Sequence, residues 1–155
     1  MGKKNTDVSY IKKLLILGVA AVAIGVFIKS LINYYMESMK KISAITGDCK
    51  EYTATCESKE IKPGCSFKGG GIRSMFSGVT LRIDDIKMTE DISITCNAIA
   101  SGVEIIVPDN INVVTIDVSK LSAVKNDALK PFDSEQKTLK VYISGFMSGV
   151  SIRTA

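Results

Sequence analysis

Residues 101–107 read Ser-Gly-Val-Glu-Ile-Ile-Val, a glycine-led run of β-branched residues that ends at Pro108. Such a run is typical of a short strand. Its first triplet recurs at 77–79 and 148–150, and a degenerate copy, Ser-Ala-Val, stands at 122–124. Successive copies are 24, 21 and 26 residues apart. Strands that repeat at this interval with a recurrent small residue are typical of the turns of a β-solenoid.

We therefore predict a mainly β fold: a small β-solenoid domain preceded by one long N-terminal transmembrane helix. The competing architecture is a small β-sandwich, which also has strands about 8–12 residues apart. In the solenoid, Gly78, Gly102 and Gly149 are structural repeat positions, because a corner or bulge needs a backbone conformation that a Cβ hinders. The final strand nears Ala155 without an obvious cap, which predicts an open edge there.

An apolar segment near the N-terminus predicts the membrane helix. Residues 14–28 carry no charge, and residues 14–32 can cross a hydrocarbon core of about 30 Å if Lys29 reaches an interface. A cleaved signal peptide is disfavoured because no small-residue cleavage site ends the segment. A buried core helix is disfavoured because the remaining chain predicts strands. The Lys12-Lys13 pair favours a bacterial cell membrane protein with its N-terminus inside and its β domain outside.

The chain divides into five predicted segments: a basic tail at 1–13, the transmembrane helix at 14–32, a juxtamembrane helical linker at 33–47, a Cys-containing segment at 48–66 and the β domain at 67–155. Seven lysines stand against two acidic residues in 1–46, whereas 47–155 carry thirteen basic and fourteen acidic residues. A nucleic-acid-binding domain should show a basic stripe on its folded part. We therefore expect the bilayer and an envelope protein as partners, and no nucleic acid.

Catalytic groups are not apparent in the sequence. The absence of histidine removes His-based acid–base pairs, Ser-His-Asp triads and His metal ligands. Asp84, Asp85 and Asp91 lie in turn segments, where aspartate is expected for backbone hydrogen bonding. The glycines at 69–71 lack the Lys-Ser/Thr ending of a phosphate loop and are better explained as a degenerate first corner of the repeat. We predict no enzyme activity, no cofactor and no metal site.

Four cysteines, Cys49, Cys56, Cys65 and Cys96, leave more than one interpretation open. In an exported domain an even number predicts disulfides, with three connectivities to choose from. We expect at least one disulfide, with reduced structural cysteines or a metal site as the alternatives. The spacings differ from the C-x-x-C pattern of zinc and iron–sulfur sites. Cys96 ends an alternating run, where a small buried cysteine is an ordinary core residue.

Four units follow one another in a recognisable order: a Gly-rich opening at 67–71, Met-Phe-Ser-Gly-Val-Thr-Leu at 75–81, a unit ending in Val-Pro at 98–108 and a final copy at 146–152. In this pattern residues 66–155 resemble the C-terminal domain of the LiaF-type family of bacterial cell-envelope stress proteins, also called cell-wall-active antibiotics response proteins. The resemblance implies a β-rich, membrane-tethered regulatory or sensory domain that acts on a partner histidine kinase and performs no chemistry.

These observations predict a non-enzymatic membrane-anchored β domain that is a binding or regulatory module in bacterial envelope stress sensing. The outward residues Thr80, Arg82, Glu104 and Ser151 are the first candidates for partner contact, because they alternate with the apolar residues of the strands. The alternative is a structural protein that self-assembles as a homo-oligomer through its membrane and linker helices or its solenoid ends.

Overall fold

The computed structural model describes residues 4–46, 50–65 and 67–155. One helix, α1 (Lys4–Thr46), is followed by ten strands. The strands are β1 (Lys50–Thr55), β2 (Ser58–Ile61), β3 (Gly70–Met75), β4 (Gly78–Arg82), β5 (Ile92–Ile99), β6 (Gly102–Val107), β7 (Asn112–Asp117), β8 (Ala123–Asn126), β9 (Thr138–Phe146) and β10 (Gly149–Thr154).

Helix α1 contains one stretch, Lys12–Tyr34, that is long and apolar enough to cross a membrane. It has 23 residues, a mean hydropathy of 2.5 and no residue buried within the structure. The lack of burial argues against a core helix, whose apolar side chains would be covered by protein. The helix continues to Thr46, so it runs on through the described part of the predicted linker.

The ten strands form two five-stranded sheets in which every pair is parallel. The odd-numbered strands form the first sheet, in the order β1-β3-β5-β9-β7, and the even-numbered strands form the second, in the order β2-β4-β6-β10-β8. Consecutive strands therefore lie in different sheets, and each sheet receives every second strand. The predictions of a mainly β fold and of one apolar N-terminal helix are confirmed.

Inward side chains of both sheets form one buried cluster. It is made largely of β-branched residues, which suit pleated strands. Ile94 and Val141 of the first sheet and Ile105 and Ile152 of the second are at most 1% exposed. Burying an aliphatic side chain of this size contributes about 1.5–3 kcal/mol, so burial between the sheets is the main stabilising term.

The last two strands lie inside the stack rather than at its end. Strand β9 pairs with β5 and β7, and β10 pairs with β6 and β8. The prediction of an open edge at the C-terminal strand is therefore wrong. Among the described strands, the open edges belong to β1 and β2 at one end and to β7 and β8 at the other.

A side-chain clamp holds the connection that brings the chain back from β8 to β9. The Asn112 amide nitrogen donates to the carbonyl oxygens of Asp133 at 2.6 Å and Gln136 at 3.2 Å, and its amide oxygen accepts from the Asp133 amide at 3.0 Å. The Thr138 amide then donates to the Asp91 carboxylate at 2.9 Å. These contacts between distant residues place the start of β9 beside β5.

The β region begins earlier than expected. Strands β1 and β2 lie within the segment that we predicted at 48–66, and they pair with β3 and β4. Only Ala54 and Ile61 of these two strands are buried, as befits edge strands whose remaining side chains face water. The Cys-containing segment thus supplies one end of both sheets.

Candidate binding groove

The outer face of the second sheet carries a shallow groove of about 500 Å³. It crosses all five strands of that sheet. Its lining consists of small, β-branched and polar residues: Ser58, Gly78, Val79, Thr80, Gly102, Val103, Glu104, Ala123, Lys125, Gly149, Val150 and Ser151.

Strand register aligns the repeat glycines along the floor of this groove. Gly78 pairs with Gly102, and Gly102 with Gly149. The row is completed by Ser58 at one end and Ala123 at the other. We call these five residues the glycine row. The degenerate triplet at 122–124 signalled Ala123, but nothing in the sequence around Ser58 marked it as an equivalent position.

The glycines do not serve the purpose that the sequence suggested. The left-handed corner residue lies two positions before each member of the row, and it is never glycine: the five corners are Cys56, Phe76, Ala100, Leu121 and Met147, with φ between 46° and 54°. Four of the five corner amides, those of Cys56, Phe76, Ala100 and Met147, donate to a backbone carbonyl, for example Phe76 N to Ile99 O at 3.0 Å. A Cβ added at Gly102 or Gly149 would meet no atom within 4 Å. The explanation of these glycines by corner geometry is wrong.

Gly69 and Gly70 show the opposite situation. Gly69 has φ of 104°, and a Cβ there would collide with the carbonyl oxygen of Ser93. At Gly70 a Cβ would collide with the carbonyl oxygen of Lys50. Close backbone approach at the start of β3 therefore accounts for this glycine run, which lies at the start of a strand and not at one of the left-handed corners.

Beside the glycine row runs a second row of outward side chains. Thr80, Glu104 and Ser151 lie in direct register, flanked by Glu60 and Lys125. We call these five residues the polar row. Three of the four residues predicted for partner contact are thus brought together.

The fourth predicted contact residue, Arg82, lies one row further along the same face. There it is in register with Ile106, which pairs in turn with Arg153. Arg82 does not line the groove. Sequence reasoning missed Lys125, because the degenerate third repeat hid the strand that carries it.

Ion pairs balance charges on this face. They are Arg153 Nε to Glu104 Oε1 at 2.8 Å, Arg82 Nη2 to Asp84 Oδ2 at 2.8 Å, Lys125 Nζ to Asp127 Oδ2 at 2.6 Å and Lys62 Nζ to Glu60 Oε1 at 3.2 Å. The hydrogen bond from Arg82 holds the pKa of the Asp84 carboxyl below its ordinary value. A ligand in the groove would therefore contact hydrogen-bonding side chains and exposed backbone. It would not meet a strongly positive or strongly negative electrostatic potential.

The cysteines occupy different environments. Cys56 and Cys65 are exposed free thiols, whereas Cys96 is buried. Cys49 lies outside the described residues, so the disulfides stay a prediction. Within the described ranges no group of three or more Cys, Asp or Glu residues could hold a metal ion. Desolvation raises the pKa of the Cys96 thiol to about 12.

The buried thiol predicts a loss of stability at alkaline pH. In the unfolded chain Cys96 ionises near its ordinary pKa of 9.0, whereas in the folded chain it stays protonated up to about 12. The unfolded state then binds fewer protons, so the free energy of unfolding falls between these values, by about 2 kcal/mol at pH 10.5. Urea titrations at pH 8 and 10.5 measure this. Cys96→Ala is the control and should lack that part of the loss; equal losses would contradict the assignment.

Comparison of the chain with models of protein families, with curated proteins and with solved structures finds no match.

Proposed function

We propose that this chain is a non-enzymatic, membrane-anchored β domain that binds an envelope protein through the groove, as a regulatory module in bacterial envelope stress sensing. The observation that carries the proposal is the glycine row. Glycine weakens a strand interior, and at Gly102 and Gly149 the surrounding structure leaves room for a side chain. The small size of the residues in the glycine row is therefore best explained by a ligand outside the domain that approaches the backbone closely.

The dimensions of the groove favour an extended segment as the ligand. Five parallel strands spaced about 4.8 Å apart make a floor about 19 Å long, which matches about six residues of extended chain at about 3.3 Å each. The polar row offers hydroxyl, carboxylate and ammonium groups along one side. Alternating polar side chains of a bound peptide would meet these groups, while its backbone lies on the glycine row.

We infer further that the two sheets are the faces of a small β-solenoid. The regular alternation of consecutive strands between two parallel sheets supports this description, as does the left-handed residue at the same corner of each strand pair. The stack departs from simple coiling order because β9 and β10 enter between their predecessors. Equal destabilisation by one buried charge in an inner strand and one in an end strand would contradict such a stack.

A groove-filling substitution tests the binding function. A photo-crosslinking amino acid at Thr80, expressed in cells of the source bacterium, should give a covalent adduct with an envelope protein. Gly102→Leu should abolish the adduct, because its side chain fills the groove, and should leave the melting temperature within a few degrees, since no atom lies near its Cβ. We also expect Gly102→Leu to change the envelope stress response as deletion of the protein does.

Gly64→Leu is the matched control, because Gly64 also has no atom near an added Cβ and lies outside the groove lining. It should leave the adduct unchanged. An adduct that survives Gly102→Leu would show that the partner binds elsewhere.

A further inference from the structure

Strand β7 is an open edge of the first sheet. It pairs with β9 on one side and with no other strand among the described residues. The amides of Asn112 and Val118 donate to carbonyls on the β9 side. In a strand, the N–H and C=O groups of one residue point to one edge, and those of the next residue point to the other edge. The amides and carbonyls of Val113, Thr115 and Asp117 therefore point to the open edge.

The same strand exposes apolar side chains on its outer face. Val114 is 37% and Ile116 40% exposed, and both are register partners of outward residues of β9, Lys140 and Tyr142. A lipid surface would cover the side chains but leave the edge amides unpaired, which is costly in hydrocarbon. Another β-strand covers the side chains and pairs the backbone groups as well.

The opposite end of the stack does not supply that strand. If a second copy continued the parallel sheets with its β1 and β2, register would place its Glu51 beside the apolar Ile116. Its Lys59 would follow Val124 in the inward column of the second sheet. Lys59 Nζ donates to the Thr53 carbonyl oxygen at 3.1 Å, but no carboxylate in the described residues is paired with it. Its charge would thus be brought to the core without an ion-pair partner, so head-to-tail stacking is unfavourable.

We propose that β7 pairs antiparallel with β7 of a second copy of this chain, about a two-fold axis at Thr115. This surface is separate from the groove, and the proposal does not depend on the proposed function. In this register Thr115 faces Thr115 of the second copy, and Val113 faces its Asp117. Their edge groups form about six hydrogen bonds, two for each such pair.

On the inner side, the Asp117 carboxylate keeps its hydrogen bond from the Ser119 amide at 2.8 Å. On the outer face the proposed register matches apolar side chains. Val114 lies opposite Ile116 of the second copy in the non-hydrogen-bonded positions, where facing side chains approach most closely. The two-fold axis generates this Val114–Ile116 contact twice. A two-fold contact closes the assembly as a dimer, whereas head-to-tail contacts would leave open ends.

Lysines on the edge test the proposal. The full chain in detergent micelles should sediment as a dimer, with an equilibrium measured over a concentration series. Val114→Lys combined with Ile116→Lys should weaken dimerisation by about 100-fold, because like charges face one another across the pair. Both positions are already partly exposed, so folding should be retained. The matched control, Thr53→Lys with Thr55→Lys on the exposed outer side of β1, should leave the dimer unchanged.

A native chain that stays monomeric, or a dimer that survives the β7 lysines, would overturn the proposal; the second outcome would point to association through α1. The register has its own test in a background with Cys49, Cys56 and Cys65 replaced by serine. Chains with Val114→Cys and Ile116→Cys, expressed together and oxidised, should cross-link to each other far more than either does alone. Cross-linking with no such preference, or none at all, would overturn the register.

Discussion

A chain that ends at Phe146 is expected to lose its folded β region. Residues 147–155 include the whole of β10, the only strand that pairs with β8 among those described. They also carry Val150 and Ile152, which are 2% and 0% exposed. These two side chains contribute about 4 kcal/mol by burial alone, and backbone pairing on both sides of β10 is lost with them. Domains of this size have only about 5–15 kcal/mol in total.

Circular dichroism should show the loss of the cooperative thermal transition of the β region in the shortened chain. A chain lacking only Ala155, which lies beyond β10, is the control and should melt like the full chain. A cooperative transition at an unchanged temperature in the chain ending at Phe146 would show that β10 is dispensable.

Single substitutions test the same feature with less disruption. Val150 and Val124 are register partners in β10 and β8, but Val150 is buried whereas Val124 is only partly buried. Val150→Asp should lower the free energy of unfolding by about 4 kcal/mol, because the carboxylate is enclosed between neighbouring strands. Val124→Asp at the open end should cost about 1–2 kcal/mol, since water reaches it. Urea titration of both variants measures the difference, and equal costs would contradict the stacked arrangement.

Gly69→Ala is expected to destabilise the β region by about 3 kcal/mol, which combines backbone strain at positive φ with a steric clash. The φ of 104° suits glycine alone, and the new Cβ would collide with the carbonyl oxygen of Ser93. Because Ser93 belongs to β5, relief of the clash requires β3 and β5 to separate at that point. A drop of several degrees in melting temperature measures the effect.

Gly102→Ala provides the matched control for that substitution. No atom lies within 4 Å of its new Cβ, so the free energy of unfolding should change by less than about 1 kcal/mol and could even rise. A large loss of stability at Gly102 would mean that the glycine row is required for folding, and the argument for a ligand on it would fail.

The pair of glycine substitutions shows where sequence reasoning succeeded and where it failed. Repeats such as Ser101-Gly102-Val103 located the central strands correctly, because inward β-branched residues alternate with outward polar ones at the period of a strand. The reason for the glycine was wrong. Left-handed corners fall on residues such as Phe76 and Leu121, whose side chains give no sign of that conformation in a sequence.

The order of the strands in the sheets could not be predicted from the sequence either. The position of β9 depends on contacts such as that of Asn112 with Asp133, which are 21 residues apart, and local periodicity carries no information about such pairs. Strands β1 and β2 escaped notice because an edge strand needs few apolar residues, here Ala54 and Ile61. Of the candidate site, Thr80, Glu104 and Ser151 were predictable from alternation, whereas the groove required the register.

Strands β9 and β10 lie between strands that precede them in the chain, and this has a consequence for biosynthesis. Proteins begin to fold while they are still being synthesised, N-terminal parts first, but here the position between β6 and β8 stays empty until β10 itself has left the ribosome. Until then β5 and β6 would each lack a neighbour on one side, and a prematurely terminated chain would keep those strands unpaired. Unpaired edges favour aggregation and degradation. Stable folding of the earlier strands therefore depends on the synthesis of β9 and β10.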